Sequence, residues 1–153
     1  MRALLILLVS LGVIAGAHAA DAVTGRIVKV LPFLLDHQGQ DSKSPSLFDR
    51  DAYQAFLREH TTNVFAMRFD VLWKADKAPV ENLRISVELR GIATNSVPRT
   101  TVLETNVVPG TLRKWTSLPL AGDDFRNFGR VVAWRATLWN GPQMLSEQKS
   151  FLW

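Results

Sequence analysis

Asn82-Leu83-Arg84-Ile85-Ser86-Val87-Glu88-Leu89-Arg90-Gly91 alternates apolar and polar side chains without a break. Leu83, Ile85, Val87 and Leu89 therefore share one face of an extended chain, and Arg84, Ser86, Glu88 and Arg90 the other. A strand with one dry and one wet face belongs to an antiparallel sheet covered on one side. Two further segments repeat the pattern. In residues 64–74, Phe65, Met67, Phe69, Val71 and Trp73 oppose Ala66, Arg68, Asp70 and Lys74; in residues 131–139, Val132, Trp134, Ala136 and Leu138 oppose Ala133, Arg135 and Thr137.

Weaker strand signals cover residues 25–35, 99–108, 112–120 and 143–153. Turn chemistry separates these segments at Lys77-Ala78-Pro79, Pro109-Gly110, Ala121-Gly122-Asp123-Asp124 and Asn140-Gly141-Pro142. About seven short strands at this spacing predict a mainly β fold, an antiparallel sandwich of two sheets.

One segment breaks the alternation. Over residues 47–59 the apolar residues Phe48, Ala52, Tyr53, Phe56 and Leu57 fall at helical spacing, with Asp49, Arg50, Gln54 and Arg58 on the other side. Ser46 three residues before Asp49 resembles a capping box. The spacing predicts one inserted amphipathic helix over about 47–59.

Residues 118–153, from Leu118-Pro119-Leu120 to Phe151-Leu152-Trp153, resemble the last three strands of an immunoglobulin-like or fibronectin-III-like β-sandwich. The resemblance is architectural, and the helix between the first two strands departs from the standard pattern. It implies an adhesive, scaffolding or ligand-binding module, although fold does not dictate function.

The first residues read as a secretory signal peptide. Arg2 opens it, residues 3–17 are apolar, and Ala17-His18-Ala19 is a small-x-small cleavage site. Cleavage after Ala19 leaves residues 20–153 as a single domain, secreted or periplasmic. It removes only Arg2 from the 18 basic residues, which then stand against 14 acidic ones. Basic residues scattered singly in the chain argue against a nucleic-acid partner. With no cysteine, the chain has no disulfide, thiol chemistry or cysteine-held metal, and folding rests on the apolar core. No later segment is long and apolar enough to be a transmembrane helix.

Asp36-His37 and Glu59-His60 are the one histidine–carboxylate set that folding could gather into a metal site. Neither pair has the spacing of a known site; His60 suits a helix end and His37 a polar loop. No catalytic constellation is recognisable, and no metal or cofactor is implied. Of five tryptophans, Trp73 and Trp134 fall on dry faces. Trp115, Trp139 and Trp153, with Phe151, are left as the candidate binding surface.

At residues 140–142 a two-residue Asn140-Gly141 turn would set Trp134 against Glu147 and Val132 against Lys149, driving two charges into the dry face. A three-residue loop sets Leu138 against Met144, Ala136 against Ser146 and Arg135 against Glu147, and keeps charge off the dry face. It places Phe151 opposite Val131 and Trp153 over Gly129, where the helix would cover them through Phe48, Tyr53, Phe56 or Leu57.

The expected function is an exported, non-enzymatic binding or accessory module whose partner is another envelope or extracellular protein. One alternative is a carbohydrate-binding module using exposed tryptophans. Another is a small outer-membrane β-barrel, because Leu145, Phe151 and Trp153 resemble the terminal assembly signal of such proteins. Glu147 and Lys149 would then face lipid, where a mid-bilayer Lys costs about 2–4 kcal/mol.

Overall fold

The computed structural model describes residues 23–76 and 82–153. The leader, its cleavage point and the Lys77-Ala78-Pro79 turn lie outside the described residues. Seven strands are present: β1 (Gly25–Leu35), β2 (Ala66–Ala75), β3 (Leu83–Ile92), β4 (Pro98–Asn106), β5 (Lys114–Ala121), β6 (Arg130–Asn140) and β7 (Gln143–Lys149). They form two antiparallel sheets, ordered β1-β2-β5 and β4-β3-β6-β7. No helix among the described residues is long and apolar enough to cross a membrane.

The apolar faces of β2 and β3 pack inward as read, while on β6 the expected wet-face residues Ala133 and Thr137 are also buried. Ile85, Val87 and Leu89 of β3 and Val71 and Phe69 of β2 have no exposed surface, and Trp73 is buried among them. With Leu118, Leu120, Ala136 and Leu138 they make one core contributed by the inward faces of both sheets. Each fully buried side chain of this size contributes about 1.5–3 kcal/mol. The buried indole N–H of Trp73 donates to Thr116 Oγ1 at 2.8 Å, so the ring enters the core without an orphaned donor. Along one side of the core β1 meets β7. The Ile27 amide donates to Ser146 Oγ at 3.1 Å, and a Cβ on Gly25 would sit 2.9 Å from both Leu138 and Leu145.

The helix α1 (Leu47–Glu59) has the expected bounds, and the Asp49 amide donates to the side chain of its cap Ser46. The return half of a capping box does not form. The Asp49 carboxylate accepts from Ser44 Oγ at 2.5 Å, and Ser44 Oγ in turn accepts from the Ser46 amide.

The face it buries differs from the expected stripe. Gln54 and Leu57 are buried and Tyr53 and Arg50 partly so, whereas Phe48, Ala52 and Phe56 are exposed. The reason is what the helix packs on. β1 is an edge strand, and an edge needs hydrogen-bonding partners more than apolar cover. Gln54 supplies them, accepting from the Leu34 amide and donating to the Leu34 carbonyl, both at 2.9 Å.

Two local expectations change. Ala121-Gly122-Asp123-Asp124 opens a second helix, α2 (Gly122–Phe128), and is not a simple turn. Phe125 and Phe128, one helical turn apart, both pack into the core. Phe128 lies so close to Gly91 that a Cβ there would fall 2.4 Å from its ring.

The closing hairpin takes neither of these registers. Asn140 pairs with Gln143 around a two-residue Gly141-Pro142 turn, and an irregularity after Trp139–Met144 then sets Leu138 against Ser146 and Thr137 against Glu147. Gly141 takes φ 53°, the positive value that a type II′ hairpin needs at its first central position, and proline's fixed φ suits the second. Leu145 is the extra residue and packs against the core. Glu147 and Lys149 stay opposite the outward-facing Thr137 and Arg135, so the bulge keeps charge off the core by a different route.

Candidate functional site

The outward face of the four-stranded sheet carries most of the aromatic side chains singled out above. On β3 it displays Arg84, Ser86, Glu88 and Arg90, and the register places Trp139, Thr137 and Arg135 of β6 beside the first three. Asn106, Glu104 and Val102 of β4 flank the same three positions. Opposite charges pair across strands, Glu88 with Arg135 at 3.0 Å and Arg84 with Glu104 at 3.2 Å. Such part-exposed pairs contribute little stability, and their effect is to hold the arginine planes in place.

Two of the tryptophans are anchored in this lattice. Trp139 is half-buried, its Nε1 donates to Thr137 Oγ1 at 2.8 Å, and the Arg84 guanidinium lies 5.8 Å from its ring centre. Trp153 arrives by a turn. β7 ends at Lys149, and Ser150 continues the pairing by donating its amide to the Trp134 carbonyl at 2.9 Å. Ser150 Oγ accepts from the Trp134 amide at 3.0 Å, and the Trp153 amide then folds back onto the Ser150 carbonyl at 3.2 Å. This lays the indole over Arg90, 3.8 Å from the ring centre, with Arg135 at 5.2 Å. Cation–π contacts of this kind contribute about 0.5–1 kcal/mol at exposed sites.

The expected placement of the closing aromatics is thereby corrected. Trp153 does not cover Gly129, whose Cβ direction is filled by backbone of Ile92 and Ala93. Val131 does not face Phe151, because an irregularity at Arg90 and Gly91 turns Val131 toward the core. Phe151 is fully exposed and Leu152 is 70 % exposed, so the helix covers neither. Arg135 takes Glu88 as its partner instead of Glu147.

Trp115 lies elsewhere. It stands on β5 opposite Leu72, on the outward face of the other sheet, and is 52 % exposed. Trp139, Phe151 and Trp153 are therefore associated with one sheet and Trp115 with the other.

The histidine and carboxylate residues do not converge. Asp36 is buried and wholly engaged: its carboxylate accepts from the Gln38 and Gln40 amides at 2.8 and 3.0 Å, from Lys43 Nζ at 2.6 Å and from Tyr53 Oη at 2.8 Å. Burial pushes the carboxyl pKa up, but these hydrogen bonds outweigh it and hold the group far below the usual carboxylate range. His60 stacks on Phe56 at 4.2 Å and bonds the Phe56 carbonyl through Nδ1 at 3.0 Å, while His37 sits edge-on to Phe65. Among the described residues no group of three or more His, Cys, Asp or Glu is gathered for a metal.

Reading the aromatics alone missed the arginines. Arg84, Arg90 and Arg135 form the bed on which Trp139 and Trp153 rest. Their signal was already present in the wet-face alternation of residues 84–90 and 131–139. No family model matches the chain, and neither the curated proteins nor the solved structures contain a significant likeness to it.

Proposed function

We propose that this chain is an exported, non-enzymatic binding module of the immunoglobulin-like sandwich class whose partner is another envelope or extracellular protein. The contact surface is the outward face of β4-β3-β6-β7 together with Phe151 and Leu152. The observation that carries this reading is Phe151, fully exposed beside Trp153, which two arginines hold in place. Tryptophan and arginine are the side chains most enriched among residues that dominate protein–protein binding energy, and an ordered aromatic loses less entropy on docking. The face mixes both signs, with Arg84, Arg90, Arg135 and Lys149 among Glu88, Glu104 and Glu147, which suits a protein surface better than a uniformly charged polymer.

The strand order supports the sandwich reading. The fourth strand pairs with the third and not, as in constant-type immunoglobulin domains, with the fifth. Pairing in two separate sheets favours this module over the barrel, since a barrel requires closure of one sheet.

Site-specific photocrosslinking tests the proposal. A crosslinker at Phe151, in protein mixed with an extract of the producing cell's envelope and medium, is expected to trap a discrete partner. Trapping should fall about tenfold or more with Arg90→Ala combined with Trp153→Ala. A crosslinker at Phe151 that traps nothing above the level seen at the exposed Glu59 of α1, or trapping indifferent to the double substitution, overturns it.

A further inference from the structure

The register of the three-stranded sheet gathers cations that lie far apart in the chain. Arg26 of β1 stands directly opposite Lys74 of β2, and Lys29 stands opposite Leu72, which is in turn opposite Trp115 of β5. Leu72 and Lys74 alternate with the buried Val71 and Trp73, so Lys74, Leu72 and their opposed neighbours share the outward face. With strands about 4.8 Å apart, Lys29, Leu72 and Trp115 fall within roughly 10 Å, and Lys74 lies about 6.6 Å further along. The other half of this face is closed by Phe33, Leu35 and Ala66, with Arg50 of α1 set 4.9 Å from the Phe33 ring. This half is open.

Three properties make it a ligand site and not merely a wet sheet face. Arg26 and Lys74 are like charges in direct cross-strand opposition, an arrangement that destabilises a sheet unless an anion lies between them. Among the described residues, Arg26, Lys29 and Lys74 have no carboxylate within 4.0 Å, whereas Arg84 and Arg135 of the other sheet each have one. Arg26 and Lys74 also line a cleft of about 270 Å³ with Thr24, Gly25 and Asp76. Here the Thr24 hydroxyl donates to the Asp76 carboxylate.

We infer that this half-face binds an acidic polysaccharide. The exposed indole of Trp115 offers a flat apolar platform for the face of a sugar ring, the kind of contact an aromatic with a wet edge makes well. Arg26, Lys29 and Lys74 supply charge-assisted hydrogen bonds to the carboxylate or sulfate groups of the sugar chain. Thr24 and Asp76 at the cleft supply a hydroxyl and a carboxylate for sugar hydroxyls. A lipid surface is disfavoured because Trp115 and Leu72 are the only apolar side chains among these positions, and Leu72 is half-buried.

The test is calorimetric titration of the protein with polygalacturonate, against neutral dextran, phosphatidylglycerol vesicles and oligo-dT. Polygalacturonate is expected to bind and dextran not to bind, with affinity falling as salt rises. Trp115→Ala should weaken binding about tenfold and Trp115→Phe should recover most of it. Lys29→Gln with Lys74→Gln should weaken binding at least about fivefold and flatten the salt dependence. Phe151→Ser, which alters the other surface, should leave the affinity unchanged, so this site and the proposed protein contact fail separately. No binding of polygalacturonate, equal binding of dextran, tighter binding of vesicles or oligo-dT, or indifference to Trp115→Ala would each overturn the inference.

Discussion

Gln54 makes with Leu34 the two hydrogen bonds that a neighbouring strand would make, accepting from the amide and donating to the carbonyl, both at 2.9 Å. A helix side chain thereby completes the edge of a sheet, and its Nε2 also reaches the Asp41 carbonyl at 2.9 Å. Replacing it by alanine removes three hydrogen bonds and leaves the Leu34 groups to compete for water. Gln54→Ala is expected to lower stability by roughly 1–3 kcal/mol, and Gln54→Glu by a similar amount because the carboxylate cannot donate. Urea unfolding midpoints at unchanged slope check this. A loss below about 0.5 kcal/mol in both variants would mean that the edge is satisfied without the helix.

Asp36 gives the protein an acid-sensitive element. Burial raises its pKa, but hydrogen bonds from Lys43, Gln40, Tyr53 and Gln38 lower it well below the ordinary 3.8. Because the folded group titrates lower than the unfolded one, its stabilisation is fully present above that ordinary value and is lost as pH falls through the folded pKa. Asp36→Asn is expected to cost about 2 kcal/mol at neutral pH, and the gap from the native protein should close as pH drops below about 4. Lys43 has the opposite sign. Hydrogen bonds to Asp36 and Tyr53 raise its pKa above 10.5, so its share is present below that value and is lost as pH rises through the raised one. Stability curves from pH 2 to 11 for native protein, Asp36→Asn and Lys43→Met test both signs.

Gly91 and Phe128 occupy each other's space. An alanine methyl at Gly91 would lie 2.4 Å from the Phe128 ring and 3.0 Å from the Arg130 carbonyl. Gly91→Ala should destabilise by about 1–3 kcal/mol through overpacking. In the background of Phe128→Leu the same substitution should cost less, because the ring that clashes has gone. A double-mutant cycle with no coupling would show that the carbonyl contact, and not the ring, sets the penalty.

Trp153 holds the residues around it in place through Arg90 and Arg135. Trp153→Ala is expected to change global stability by no more than about 1 kcal/mol, since the contact is exposed. Hydrogen exchange at the Ser150 amide, bonded to the Trp134 carbonyl, should nonetheless accelerate, as local opening is governed by local contacts. Unchanged protection at Ser150 would show that the backbone pairing persists without the indole.

Strand identity was legible because it depends on neighbours in the chain. The wet and dry faces of residues 83–90 are set by period-two geometry alone, and β1, β3 and α1 lie where the residue pattern put them. Apolarity alone does not set the buried face of α1. Tyr53 and Leu57 of the apolar stripe do turn inward, but so does Gln54, toward an edge strand that lies outside the helix itself, while Phe48 and Phe56 stay exposed. The α2 segment read as a turn because its glycine and two aspartates do suit one. Its helix depends on Phe125 and Phe128 finding a core supplied by distant strands.

The amino-acid order by itself determined the seven extended segments, the first helix and which side of β3 faces the core. Those properties follow from side-chain spacing within one segment. Tertiary structure decided what the segments present together: Trp153 over Arg90, and Arg26 opposite Lys74 with Trp115 two strands from Lys29. Both depend on cross-strand register, and a single bulge, such as those at Leu145 and at Val132, changes which side chains meet. Register is selected by the packing of two whole sheets, so neither surface could be assembled from the chain read in order.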